Sequence, residues 1–413
     1  MSTAQGRLTP PVRASLDAVL SFAWDTGVFV SADAMGATGL TRSTTIESLD
    51  ELIDLGLLRE LPNSRDGGEY SKGRPARRFE LRADAAVVVG IDAGRSHLTT
   101  TVADLRGRVL VSERRERDLR HETADGRRAA VHDAIDGALE TLGRSRCSVL
   151  AVCVGVPAPV DSRGVSPQHR DGFWRLMNPD LAAALAEWAP IVRIENDASL
   201  AAVAEGAIGG AVGSRDYVVL LAGDRLGAGV VVDGHLLRGA HGGAGEMLAF
   251  DRVEGVGTAE GLGLRLTEWV REAAAAGEVP PRHPLAGVAV DELTGRAVLG
   301  LARSGDEWSR AFVRRAGAVL ARVAGIFGSL YDPERVIISG AVAEGLGEAI
   351  EEARRLLPEE LDLPAPELLL STLGADSVVT GAVAAAVKAA REGALTIGGS
   401  SSRTVDEILE PAS

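Results

Sequence analysis

The chain has 413 residues, more than one hydrophobic core ordinarily organises, so two or three domains are expected. Its 46% hydrophobic and 25% charged residues are those of a globular protein, and a net charge of -14 argues against general affinity for a polyanion. No uncharged apolar run approaches the length of a membrane span, and Met1 to Pro10 lacks the basic-then-apolar pattern of a signal peptide, so a cytoplasmic protein with no membrane partner is expected.

The charge is uneven. Residues 1–82 hold 10 Arg or Lys against 11 Asp or Glu, which leaves nearly all of the negative charge on the remainder. Within this near-neutral segment, Ser15 to Trp24 reads as a helix supplying Leu16, Val19, Leu20 and Ala23 to a small core, and Ser31 to Ala37 as a second. Thr38-Gly39-Leu40 is the turn into a third helix, with Thr41 as hydroxyl N-cap, Ile46, Leu49, Leu52 and Ile53 on one face, and Gly56 as its stop. Leu57 to Leu61 and Arg77 to Leu81 read as two strands joined by a polar loop bearing Arg65, Lys72 and Arg74. A capped third helix followed by a basic hairpin is the pattern of a winged helix-turn-helix. Thr41, Arg42, Ser43, Thr44 and Thr45 are then the candidates for the major groove, with Lys72 and Arg74 on the wing. Each residue taken singly fits an ordinary capped surface helix or a solvated loop equally well. Arginine is no signal here, because Lys72 and Lys388 are the only lysines and the whole chain favours arginine.

From Ala85 the pattern becomes α/β. Ala86 to Asp92 is a buried strand ending in a carboxylate, followed by a meander over Leu98 to Ala103 and Arg108 to Ser112. A helix over Arg127 to Leu142 and strands over Val149 to Val154 and Ile191 to Ile194 follow, the last running into Glu195-Asn196-Asp197 and a new helix. Tyr217 to Leu221 begins another strand, turning through Gly223 to Gly229. A helix over Trp308 to Leu330, a strand over Arg335 to Ser339, and helices from Ala343 and Ala375 complete the body. The Ser- and Gly-rich stretch from Arg391 reads as a flexible tail. Cys147 and Cys153 have no His or Cys neighbour at metal spacing and read as two buried, reduced thiols. Strand-ending carboxylates beside glycine loops suit a two-lobed fold with its ligand between the lobes.

The ordered series Gly155-Val156-Pro157, Glu195-Asn196-Asp197-Ala198, Gly239 to Glu246, Gly340 and Leu373 to Asp376 resembles the ROK family of repressors, open reading frames and sugar kinases, in its repressor form. The resemblance implies a winged helix-turn-helix over residues 1–83, a two-lobed actin-like ATPase or sugar-kinase fold over 84–390 for effector binding and oligomerisation, and the tail over 391–413. It makes Asp197 the counterpart of the kinases' general base, here vestigial, and Asn196, Asp197, Glu246 and Glu260 the effector-binding set. Helix capping by Asn196 and Asp197 is the plainer alternative.

The phosphate loops depart from the kinase pattern. Asp92-Ala93-Gly94-Arg95-Ser96-His97 and Gly223-Asp224-Arg225-Leu226-Gly227 carry charged side chains where bare backbone would surround phosphates, which disfavours ATP, although Arg95 and Arg225 could also attract an anion and Asp224 could pair with an arginine. Glu246 to Glu260 has Ala249 in place of the family's zinc-site histidine and no cysteine, so neither zinc nor any other cofactor is expected. Trp174, in the stretch Gln168 to Trp174, is a candidate to stack on a sugar ring. The expected protein is a regulator of operator DNA, responsive to a sugar or sugar derivative, assembled as a homodimer or homotetramer, and not an enzyme. The alternatives are an active ATP-dependent sugar kinase with an accessory DNA-binding domain, and a cleft kept only as a dimerisation scaffold.

Overall fold

A computed structural model describes residues 11–62, 76–116, 123–169, 172–223 and 225–398. Helix α1 (Pro11–Asp25), strand β1 (Phe29–Val30), helices α2 (Ser31–Thr38) and α3 (Arg42–Asp54), and strands β2 (Leu58–Leu61) and β3 (Arg78–Leu81) form the first unit. Its sheet has the order β1-β3-β2 and is antiparallel throughout. The helices meet because Leu16, Val19, Leu20, Ala23, Leu49 and Leu52 recur at helical spacing and are all buried, with Phe29 and Phe79 closing the core from the sheet. Gly39 turns α2 into α3 at a φ of 70°, a conformation that a side chain would strain. Lys72, Arg74 and Arg65 lie outside the described residues.

The next unit holds β4 (Val87–Ala93), β5 (His97–Asp104), β6 (Val109–Glu116), α4 (Ala124–Thr141), β7 (Val149–Val156), the short α5 (Phe173–Met177) and α6 (Leu181–Leu185), β8 (Ile191–Asn196) and α7 (Asp197–Ile208). The third holds β9 (Tyr217–Leu221), β10 (Gly227–Val232), β11 (His235–Leu236), α8 (Leu262–Ala275), α9 (Gly295–Arg303), α10 (Glu307–Tyr331), β12 (Arg335–Ser339), α11 (Gly347–Leu356), β13 (Glu367–Leu370) and α12 (Ser377–Gly398).

The two large sheets repeat one plan. Their orders are β6-β5-β4-β7-β8 and β11-β10-β9-β12-β13, each with three antiparallel strands followed by two parallel ones. The central parallel strands β4, β7 and β12 are buried on both faces, hence their unbroken apolar runs, such as Val149 to Val156. Helix α7 leaves the first large sheet and packs on β9 and β10 of the second, while α12 follows the second sheet and packs on β4 and β7 of the first. The crossed pair therefore ties the lobes together.

Several sequence expectations shift. Helix α12 continues eight residues past the expected start of the tail, because Ala394 and Leu395 are buried in the shared core and Arg391 is anchored on α1. The helix expected from Ala343 begins at Gly347 after a tight turn over Ala343–Gly345. Cys153 is buried as expected, whereas Cys147 is only half-buried, lying on a turn before β7. Among the described residues no helix is long and apolar enough to cross a membrane.

Candidate functional site

Two surfaces gather the candidate residues. On the first unit, Thr41 caps α3 by accepting the Thr44 amide at 3.3 Å, and its hydroxyl also meets those of Ser43 and Thr44 at 3.1 and 2.9 Å. Thr41, Arg42 and Ser43 are exposed and Thr44 is half-buried. Thr45 corrects the expectation: it is fully buried and its hydroxyl donates to the Thr41 carbonyl at 2.9 Å. At 100° per residue it falls on the stripe of Ser48, Leu49 and Leu52, away from solvent.

The second surface lies where β4, α7 and the loop before β10 converge. Asp197 stands in the first turn of α7, where the helix dipole alone would favour the carboxylate. Burial outweighs that, and with the negative charges of Asp92 and Glu246 it pushes the Asp197 carboxyl up to about 8, against a partly offsetting bond from the Ala198 amide at 2.7 Å. Glu246 is likewise raised by burial, with Arg225 and His169 pulling the other way. The structure thus brings Asp92 and Glu246 into electrostatic reach of Asp197.

Asn196 and Glu260 are engaged differently. Asn196 caps α7 through the Ser199 amide at 3.0 Å and donates to the Ala158 carbonyl at 3.2 Å, which is the plainer role left open for it. Glu260 meets Glu268 of α8, whose carboxyl is raised by burial and by the hydrogen bond with Glu260. The segments around both glutamates are stitched to the loop before β10 by backbone bridges, Arg225 with Glu260 and Gly227 with Glu246. Trp174 lies against the His169 ring, with centroids 4.5 Å apart. Asp224 lies outside the described residues.

The turn after β4 is filled by the chain's own groups. His97 Nε2 donates to Asp92 Oδ2 at 2.8 Å, and the imidazole lies so close over Gly94 that a Cβ there would meet its Cε1 at 2.6 Å. Beneath the turn, the fully buried Arg127 donates to the carbonyls of Ala93, Gly94 and Met177 at 2.6, 3.2 and 2.7 Å. Burial lowers its pKa to about 10, with Asp92 acting in the opposite sense. Sequence reasoning passed over Arg127, yet a signal existed: it lies on the same helical stripe as the buried Val131 and Ala134. Across the lobes, Arg238 grips Glu195 with Nη2 to Oε1 at 3.0 Å and Nε to Oε2 at 3.3 Å, beside the candidate site. Among the described residues no three His, Cys, Asp or Glu side chains group as a metal site.

Two sheets of one plan, crossed helices between them and a cluster of carboxyls at the junction define the actin-like sugar-kinase fold, preceded here by a helical unit with a small sheet. The ROK family model matches residues 88–249, from β4 to just beyond Glu246, so this stretch is similar to the ROK family. The chain is 29% identical over 230 residues to the bifunctional enzyme NanE/NanK of Brucella suis, covering 51% of this chain and 39% of that protein. It is 25% identical over 211 residues to the xylose repressor of Bacillus subtilis, covering 51% of this chain and 53% of the repressor. The chain therefore spans about half, or less, of these curated relatives. The crystal structure of a ROK-family transcriptional regulator, a homologue of the Escherichia coli MLC protein, superposes with a TM-score of 0.71 at 21% identity over 97% of this chain and 99% of that one. That likeness extends through the helical unit and shows the shared fold.

Proposed function

We propose that the protein is a DNA-binding transcriptional regulator whose cleft senses a sugar or sugar derivative and whose kinase activity is lost. The observation that carries this reading is the exposed first turn of α3, Thr41 to Ser43, presented by a unit whose core is continuous with the α/β body. In this reading the unit is a winged helix-turn-helix with α3 in the major groove and the hairpin as wing. The xylose repressor among the relatives supports it. Asp197 and Glu246 receive the sugar hydroxyls, with Asn196 and Glu260 shaping the wall. Asp197, protonated near neutral pH, donates a hydrogen bond to a hydroxyl where a kinase base would accept one.

The turn after β4 supports the loss of nucleotide binding in this reading. Asp92 is already bonded to His97, the imidazole covers Gly94, and the carbonyls of Ala93 and Gly94 are turned to Arg127. No zinc or other cofactor enters this reading, and the working form is a cytoplasmic homodimer or homotetramer. A sugar that binds the two lobe arrangements unequally would change the spacing of the DNA-reading units in that assembly.

Footprinting on the DNA upstream of neighbouring genes tests the reading. A protected site is expected, with occupancy that one member of a sugar panel changes, and no protection on any fragment overturns it. The second reading, a working sugar kinase, is favoured by the carboxyl cluster around Asp197. Hexose-stimulated ADP release by the pure protein would establish it in place of the first.

A further inference from the structure

The solvent face of α3 carries acids where a helix approaching a polyanion would be expected to carry none. Opposite the buried Thr45, Ser48, Leu49 and Leu52, the exposed residues Ser43, Glu47, Asp50 and Asp54 follow one another along the helix. Asp50 is neutralised from the hairpin: Arg77 Nη1 lies 2.8 Å from its Oδ1, and the same guanidinium holds Glu60 at 2.8 Å. Glu47 stands one turn beyond Ser43, on the stretch that would lie deepest against a duplex, and among the described residues no basic side chain pairs with it.

An unpaired carboxylate at that position repels phosphates on every sequence. The cost is offset only where a base edge offers a donor. In the major groove cytosine presents the N4 amino group, whereas guanine and thymine present the acceptors O6 and O4, and adenine sets the acceptor N7 beside its amino group. We infer that Glu47 is a specificity-determining residue, accepting a hydrogen bond from the N4 amino group of one cytosine in each half-site. The inference rests on the DNA-binding reading above and adds to it the identity of one base.

The test is selection from a random duplex library by the full chain, as wild type, Glu47→Ala and Glu47→Gln. The side chain is exposed, and equal melting temperatures would show that all three fold alike. The wild type is expected to enrich a site with one strongly preferred cytosine per half-site. Glu47→Ala should lose about ten-fold discrimination at that position alone while binding random duplex more tightly. Glu47→Gln should move the preference to adenine, whose N6 and N7 an amide matches bidentately. Identical base preferences at every position in all three proteins overturn the inference and leave DNA binding standing. Failure of the wild type to enrich any site overturns both.

Discussion

Arg391, near the far end of α12, closes its guanidinium on the carboxylate of Asp25 in α1, with Nη1 at 2.8 Å from Oδ1 and Nη2 at 2.7 Å from Oδ2. The same Nη2 reaches the Ser21 hydroxyl at 2.6 Å, while Trp24 Nε1 donates to the Leu105 carbonyl at 3.0 Å. The first unit is therefore seated on the helix that also packs against α7, whose first residue is Asp197. Because Asp25 is largely exposed, Arg391→Ala is expected to cost only about 1 kcal/mol of stability. Its larger effect is expected on coupling: the sugar-dependent change in DNA affinity should shrink while sugar affinity holds. Fluorescence anisotropy of labelled operator with and without sugar reads this directly, and unchanged coupling would show that the signal takes another route.

At Gly381, α12 comes close to the backbone of α7. A Cβ at that position would lie 1.9 Å from the Leu200 carbonyl oxygen, a backbone atom that no rotamer change can move. Gly381→Ala is expected to destabilise the chain by about 1–3 kcal/mol through forced separation of the crossed helices. Urea unfolding checks it, and a neutral result would mean that the two helices slide apart freely.

Much of this architecture is legible in the sequence, for identifiable reasons. The runs at Val87 to Val89 and Val149 to Val154 read as strands because parallel strands buried on both faces need no polar alternation. Thr41 reads as a cap because a hydroxyl before an apolar-periodic segment has few other uses. Phe29–Val30 is too short to carry a period, and it becomes a strand only through β3. The segment from Arg391 is polar enough to read as a tail, and its helix is held by burial of Ala394 and Leu395 and by Asp25, 366 residues away in sequence. In the cleft, the carboxyl cluster is foreshadowed by Asp92, Asp197 and Glu246. The place of Arg127 on the buried stripe of its helix is legible locally, but its partners, the carbonyls of Ala93, Gly94 and Met177, come from tertiary structure.

Arg42 and Thr45 lie three residues apart on α3 and are expected to respond oppositely. Arg42 is exposed, so Arg42→Ala should leave the melting temperature unchanged and weaken operator binding about ten-fold or more. Thr45 is buried with its hydroxyl bonded to the Thr41 carbonyl, so Thr45→Ala should cost about 1 kcal/mol of stability, while the folded fraction binds DNA normally. Melting curves beside gel-shift titrations separate the two effects. Loss of DNA affinity in a fully folded Thr45→Ala protein would return that residue to the interface.

Asp197 sets an expectation about pH. Its carboxyl titrates near 8 in the folded protein but about 3.9 in the unfolded chain, so between those values the folded state holds a proton that the unfolded state has released. Stability from this group therefore falls as pH rises through that interval and levels off once the folded carboxyl has also ionised. Asp197→Asn keeps the shape, cannot ionise, and should flatten the decline, so the variant gains on the wild type as pH rises from about 4 to about 8, by a few degrees of melting temperature. If the neutral acid is also what meets the sugar, wild-type sugar affinity should weaken as pH rises through about 8 while that of the variant stays level. Calorimetric melts and sugar titrations at three pH values check both. Parallel curves for the two proteins would mean that the Asp197 carboxyl is ionised throughout, as a general base requires, and would strengthen the kinase reading.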